Sequence, residues 1–273
     1  MPDYRLIALD MDGTLLTSDK RVSPRTVDAL RAAAESGAIV ALSTGRTTSE
    51  LMDYRSDLEG IVGYASLVSG GVVRNMTTGE TLHAQSIDFD VARAVVTQGL
   101  EENAMVQILT PEYSVMTHAD VDRMPELGQG IYQRLARQWG YLVDDIAEFL
   151  EAHPTDACKV NLQHVDRASC ERTQRVLEEL PVQLAAGESA SIEVTPRGVT
   201  KAHGLELLCD HLSLRLAQTL VVGDGDNDLE AFEVAGFAVA MGNATPEAMD
   251  RADAVVADND HDGIAEAVER WLL

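Results

Sequence analysis

The run Leu6-Ile7-Ala8-Leu9-Asp10-Met11-Asp12-Gly13-Thr14 decides how the rest of the chain is read. Four apolar residues end abruptly on a carboxylate, which predicts a buried strand carrying Asp10 and Asp12 just beyond its C-terminal end. Open α/β sheets bind their ligands at that end. Residues two apart in an extended segment point the same way, so both carboxylates can approach one site, and Gly13 lets the chain turn sharply after them. An acidic turn that only closes a strand is the competing reading, because Asp and Gly favour turns for local reasons.

Downstream, Ser23 reads as an N-cap, Pro24 as the first helical residue and Gly37 as the stop, which predicts a helix from Ser23 to Ser36. The apolar run Ala38-Ile39-Val40-Ala41-Leu42 follows. Strand, helix and strand with short connections form a βαβ unit, hence a parallel sheet with a right-handed crossover. A third run, Ile61 to Val68, ends at Ser69-Gly70-Gly71, and Val72-Val73 and Thr81-Leu82 flank Thr78-Gly79 as a hairpin.

Between about His83 and Ala190 the alternation is lost. Helical stretches (Asp90 to Glu102, Gly130 to Gln138, Arg167 to Leu180) mix with isolated strands such as Met105 to Leu109 and Lys159 to Leu162. The rhythm resumes at Ile192-Glu193-Val194 and runs through a helix from Lys201 to Leu212, the strand Thr219 to Val222, a helix from Asn227, the strand Phe237 to Ala240 and a closing helix from Gly263 to Leu273. The resumed segments are expected to complete the interrupted sheet. The pattern predicts an α/β fold: a Rossmann-like parallel-sheet core of residues 1–83 and 191–273, with an inserted α+β domain over 84–190.

The 273 residues hold 21 Lys and Arg against 45 Asp and Glu, a net charge of −24. Such a field repels phosphate backbones and anionic lipid, and no concentrated basic patch offsets it, so neither nucleic acid nor membrane is an expected partner. Only three lysines occur, Lys20, Lys159 and Lys201, which makes the place of each informative. The three cysteines have neither the count nor the spacing of a disulfide framework or zinc site and read as reduced core thiols. With no basic stretch leading into a long apolar run, a cytoplasmic location is expected.

Gly223-Asp224-Gly225-Asp226-Asn227-Asp228 also follows an apolar run. These acids repel one another unless a cation or a phosphate-bearing partner organises them. An EF-hand loop would need Glu at its twelfth position; counting from Asp224 that residue is Ala235, and a strand precedes the loop. Acidic clusters at two strand ends point instead to one shared hard-cation site, with Mg²⁺ the best match. Ser43-Thr44-Gly45-Arg46 closes the second run and is read as opening the next helix, an anion seat built from hydroxyl, glycine amide and helix N–H groups, although Ser and Thr are also ordinary N-caps. Lys201 begins the helix after the insertion, where its charge could neutralise a phosphoryl group or simply face solvent.

Together these pieces resemble the haloacid dehalogenase superfamily of aspartate-nucleophile phosphatases, in its Cof-like branch with a type IIB cap. Asp10-Met11-Asp12-Gly13-Thr14-Leu15-Leu16 looks like the first motif, Ser43-Thr44-Gly45-Arg46 the second, Lys201 the third and the Gly223 to Asp228 stretch the fourth. One departure is Ser69-Gly70-Gly71, where the branch usually has Asn-Gly-Ala. The resemblance implies that Asp10 attacks phosphorus to form an aspartyl-phosphate and that Asp12 protonates the leaving oxygen and later activates water. It implies Mg²⁺ held by Asp10, Asp12 through its backbone carbonyl, Asp224 and Asp228. Thr44, Gly45, Lys201 and Asn227 would hold phosphoryl oxygens, Arg46 would help to anchor substrate or cap, and the inserted domain would close over the site and read the leaving group. The expected partner is a small phosphorylated metabolite, a sugar phosphate or phosphorylated cofactor. A phosphomutase using the same intermediate, and a non-catalytic acidic metal-binding protein, are the alternatives.

Overall fold

A computed structural model describes residues 4–186 and 190–273. The end of the expected insertion, 187–189, and the first three residues of the N-terminal stretch lie outside the described residues. The strands, in chain order, are β1 (Leu6–Leu9), β2 (Ile39–Ser43), β3 (Val62–Leu67), β4 (Val72–Asn75), β5 (Thr81–Ala84), β6 (Met105–Leu109), β7 (Ser114–Thr117), β8 (Tyr141–Val143), β9 (Lys159–Gln163), β10 (Val182–Ala186), β11 (Ser191–Pro196), β12 (Thr219–Gly223), β13 (Phe237–Ala240) and β14 (Ala254–Val255). They form two sheets, ordered β14-β13-β12-β1-β2-β3-β4-β5 and β10-β11-β9-β6-β7-β8.

In the first sheet β1 is buried along its whole length, as the continuous run Leu6 to Leu9 requires of a central parallel strand. It pairs in parallel with β2 on one side and β12 on the other, and Leu9 aligns with both Leu42 and Val222. The register therefore brings Asp10, Ser43 and Gly223 level where the three strands end. The first helix runs from Pro24 to Glu35, and the Ser23 hydroxyl caps it by accepting from the Thr26 amide at 3.1 Å. β3 and β4 are antiparallel, and the turn beyond β4 is held by Asn75, whose Oδ1 accepts from the Thr77 and Thr78 amides. Leu205 and Leu208 of the helix Lys201–Leu212 pack with Leu6, Ala8, Ala41, Val221 and Phe232 in the core of this unit.

The second sheet is antiparallel apart from the β7–β8 pair. Val106, Ile108, Val160, Leu162, Ile192 and Val194 line one core with Ala92, Val95 and Val96 of the helix Phe89–Glu101 and Ile146, Phe149 and Leu150 of the helix Ile146–Ala152. The α+β character expected of the insertion is present.

Two expectations need correction. Ile192-Glu193-Val194 does not rejoin the first sheet: it lies in β11, antiparallel to β9 and β10. Its alternation explains why, since Ile192 and Val194 face the core of the second unit while Glu193 bonds Lys159 at 2.6 Å. A strand buried on both faces would be apolar at every position. Nor does a helix begin at Gly45. The Thr47 amide and hydroxyl donate to Glu50 Oε2 at 2.8 and 3.0 Å, and a 3₁₀ turn starts only at Ser49.

The chain divides into two compact units: one spans the chain up to Gly45, Tyr54–His83 and Thr200–Leu273, and the other spans Arg46–Asp53 and Ala84–Val199. Hydrogen bonds hold the short piece in the second unit: the Ser49 amide to the Glu112 carbonyl at 2.7 Å, Thr48 Oγ1 to the Pro111 carbonyl at 2.8 Å and Ser114 Oγ to Glu50 Oε1 at 3.2 Å. The cysteines are free, and burial pushes the Cys158 and Cys209 thiols up to about 11, which leaves them unreactive. Among the described residues no helix is long and apolar enough to cross a membrane.

Candidate active site

Asp10 leaves β1 with its amide donating to the Val222 carbonyl at 3.0 Å, so the β1–β12 ladder still fixes its backbone. Its carboxylate meets those of Asp224 and Asp228, and one oxygen from each lies within 4.8 Å of the others. Lys201, on the first turn of its helix and 1% exposed, donates at 2.7 Å both to Asp10 Oδ1 and to Asp228 Oδ1. Asp228 is held from its other side by the Asp224 and Gly225 amides, each 3.1 Å from Oδ2. Thr14 Oγ1 donates to Asp224 Oδ1 at 2.7 Å.

Gly13 is required where these pieces meet. Its φ is +83°, and a Cβ there would lie 2.3 Å from Asp224 Oδ2. The Asp224 side chain and the backbone conformation thus both exclude any larger residue between the first and fourth motifs.

Burial raises Asp10 to about 8, with Asp228 and Asp224 adding and Lys201 opposing. Burial also raises Asp224, with Asp228 adding and the Thr14 hydrogen bond opposing. Desolvation works against the Lys201 charge, but Asp10 and Asp228 outweigh it by charge and hydrogen bond and hold the ammonium form. Three carboxylates facing one ammonium leave an excess of negative charge once all are ionised. That excess, the all-oxygen donor set and the convergence within 4.8 Å fit a hard divalent cation such as Mg²⁺.

The remaining expected residues are placed less uniformly. The Asp12 carboxylate lies outside the three-carboxylate group: its Oδ1 accepts from Lys20 Nζ at 2.7 Å. Thr44 is buried, with its amide donating to the Ser66 carbonyl at 2.9 Å and its carbonyl accepting from the Ser69 amide at 3.0 Å. That amide is therefore committed to the sheet side. Gly45 follows it without a helix behind it, so no helix N-terminus contributes to the anion seat expected there. Asn227 is exposed on a short 3₁₀ turn, Asp226–Asp228. Arg46 is buried and belongs to the second unit, where it contributes, after Arg134 and Trp139, to holding the Asp53 carboxyl below its usual range.

Ser69 departs from the resembling pattern at a demanding position. Val68, Ser69 and Gly70 have φ of 54°, 57° and 98°. Asn is among the residues that tolerate left-handed backbone best, so Ser holds this turn under more strain, yet its amide still donates to the Thr44 carbonyl.

Several residues of this region were not anticipated as functional. In the sequence Thr14 stands out only as part of the first motif, yet it bonds Asp224. Lys20 stands out in the sequence by the scarcity of lysine alone. Asn243 Nδ2 donates to the Gly13 carbonyl at 2.8 Å, and the Asn259 amide donates to Asn243 Oδ1 at 3.1 Å, which ties the segments after β13 and β14 to the first motif.

Comparison with known proteins agrees with this geometry. Residues 7–268 match the model of the haloacid dehalogenase-like hydrolase family. The chain is 29% identical over 286 residues to the phosphatase YwpJ of Bacillus subtilis, covering 98% of this chain and 100% of that one. It is 28% identical over 290 residues to an HMP-PP phosphatase of Serratia proteamaculans, with 98% and 96% covered. The solved structure of a haloacid dehalogenase-like hydrolase from B. subtilis superposes with a TM-score of 0.86 at 27% identity, covering 98% of this chain and 99% of that one. With two acidic strand ends joined through one buried lysine, and a family match over nearly its whole length, the chain belongs to the haloacid dehalogenase-like hydrolases, in their Cof-like phosphatase branch.

Proposed function

We propose that the protein hydrolyses small phosphate monoesters, sugar phosphates or phosphorylated cofactors, in a Mg²⁺-dependent reaction through an aspartyl-phosphate on Asp10. The observation that carries the reading is the convergence of Asp10, Asp224 and Asp228 around Lys201 at the ends of β1 and β12. The names of relatives, HMP-PP phosphatase among them, support the class of substrate.

Asp10, Asp224 and Asp228, with the Asp12 backbone carbonyl, would hold the metal. Magnesium, when bound, supplies the positive charge that lets a carboxylate approach an anionic ester. An Asp10 carboxylate oxygen attacks phosphorus, the P–O bond to the leaving group breaks, and Asp12 gives the departing oxygen its proton. Asp12 then takes a proton from water as that water attacks the aspartyl-phosphate, releasing inorganic phosphate and regenerating Asp10. Lys201 keeps Asp10 Oδ1 in place and offsets charge on the phosphoryl oxygens. Thr44, Gly45 and Asn227 are assigned to those oxygens. The second unit, Arg46–Asp53 and Ala84–Val199, is assigned the part of the cap that selects the leaving group.

Phosphate release from a panel of phosphorylated sugars, nucleotides and cofactors tests the reading, run with Mg²⁺, with chelator and with Asp10→Asn. Metal-dependent release lost in the variant is expected. Quantitative return of the phosphoryl group to a second position on the substrate would make the enzyme a mutase. Metal binding without turnover of any compound would favour the non-catalytic alternative.

A further inference from the structure

Lys20 is one of three lysines in the chain, and the reaction above assigns it nothing. Its Nζ donates to Asp12 Oδ1 at 2.7 Å, with the two side chains 24% and 33% exposed. The backbone that delivers it is unusual, because Lys20 has φ +57°, a left-handed conformation uncommon for a residue with a side chain. Such a conformation persists where its surroundings over-determine it.

They do so here. The turn is closed by the Thr17 amide on the Arg21 carbonyl at 2.9 Å and the Lys20 amide on the Thr17 carbonyl at 2.8 Å. From outside, the Ser18 amide and hydroxyl donate to the two carboxylate oxygens of Asp260 at 2.8 and 2.6 Å, and Asn259 Nδ2 donates to the Leu16 carbonyl at 2.8 Å. An incidental surface ion pair has no need of a strained residue pinned by a loop from the far end of the chain.

The sequence places Asp10 and Asp12 two residues apart, and two such carboxylates compete for the same cations unless something separates them. Lys201 takes Asp10, and Lys20 takes Asp12. We propose that Lys20 is a positioning residue for Asp12: it holds the acid/base carboxylate apart from the Asp10–Asp224–Asp228 group, oriented for the leaving oxygen. This inference rests on the phosphatase reading above. A compact ammonium on a flexible stem suits the task, since it can follow Asp12 as the leaving group arrives, whereas a planar guanidinium would fix one geometry.

The test uses kcat/KM, which reports steps up to formation of the phosphoenzyme, on an alkyl phosphate and on 4-nitrophenyl phosphate, with full-length protein and Mg²⁺. General-acid help matters for an alkoxide leaving group and little for nitrophenolate. Lys20→Met should lose about tenfold or more on the alkyl ester and change little on the aryl ester, and Lys20→Arg should recover part of the loss. In an Asp12→Asn background, Lys20→Met should cost nothing further. Equal loss on both esters, full loss in the Asp12→Asn background, or no loss on either ester would overturn the inference while leaving the phosphatase reading intact. If the wild type releases no phosphate, or release survives Asp10→Asn, the phosphatase reading fails first, and the inference with it.

Discussion

The molecule contains two lysine–aspartate pairs at the end of β1, each closed at 2.7 Å, in different surroundings. Lys201 and Asp10 are buried, and Lys201 is shared with a second carboxylate, whereas Lys20 and Asp12 keep a quarter to a third of their side-chain surface in water. Equal distances therefore do not mean equal energies. A charge withdrawn from water depends on its partners for nearly all its stabilisation, and one at the surface retains most of its hydration. The first pair suits a permanent element of the site. The second suits a carboxylate that must exchange protons and partners during turnover.

Breaking the buried pair should have the largest effect. Lys201→Met strands two carboxylates and is expected to cost about 3 to 5 kcal/mol of stability in chelator, read by urea denaturation, together with loss of metal-dependent turnover. Gly13→Ala comes next: the left-handed backbone alone costs roughly 1 to 2 kcal/mol, and the collision with Asp224 should weaken Mg²⁺ binding measured calorimetrically.

The raised Asp10 sharpens the contrast through pH. Its folded value near 8 lies above the ordinary 3.8, so between about pH 4 and 8 the native state holds a proton that the unfolded chain has released, and this contribution to stability falls as pH rises. In chelator the Tm of the wild type should therefore decline relative to Asp10→Asn across that window, the difference being largest near pH 8. Mg²⁺ affinity should climb over the same range, with proton release on binding. A constant Tm difference between the two proteins would contradict the burial argument. The smallest effect belongs to the exposed pair: Lys20→Met should lower stability by less than about 1 kcal/mol, and a loss matching that of Lys201→Met would erase the comparison.

What was legible in the sequence was local. Leu6 to Leu9, the Ser23 cap and the helix from Lys201 to Leu212 follow from apolar runs and capping residues, and they stand where expected. Asp10, Asp224 and Asp228 could be grouped because each lies at or just beyond the end of an apolar run, and parallel register brings such ends together. The failures came where distant contacts decide. The alternation in Ile192 to Val194 marks a strand with one polar face, but its partners β9 and β10 are fixed by contacts that three residues do not reveal. The transfer of Arg46–Asp53 to the second unit depends on bonds such as Thr48 to Pro111, 63 residues away. The Lys20–Asp12 pair depends on a left-handed turn that no residue type announces, since Lys is not a usual occupant of that region.

The most direct test of the central role given to Asp10 is mass spectrometry of enzyme quenched in acid during turnover of a good substrate with Mg²⁺. The account predicts one added phosphoryl group on the peptide containing Asp10, removed by hydroxylamine and absent from Asp10→Asn. Turnover with the phosphoryl group on another residue, or at an undiminished rate in Asp10→Asn, would contradict it.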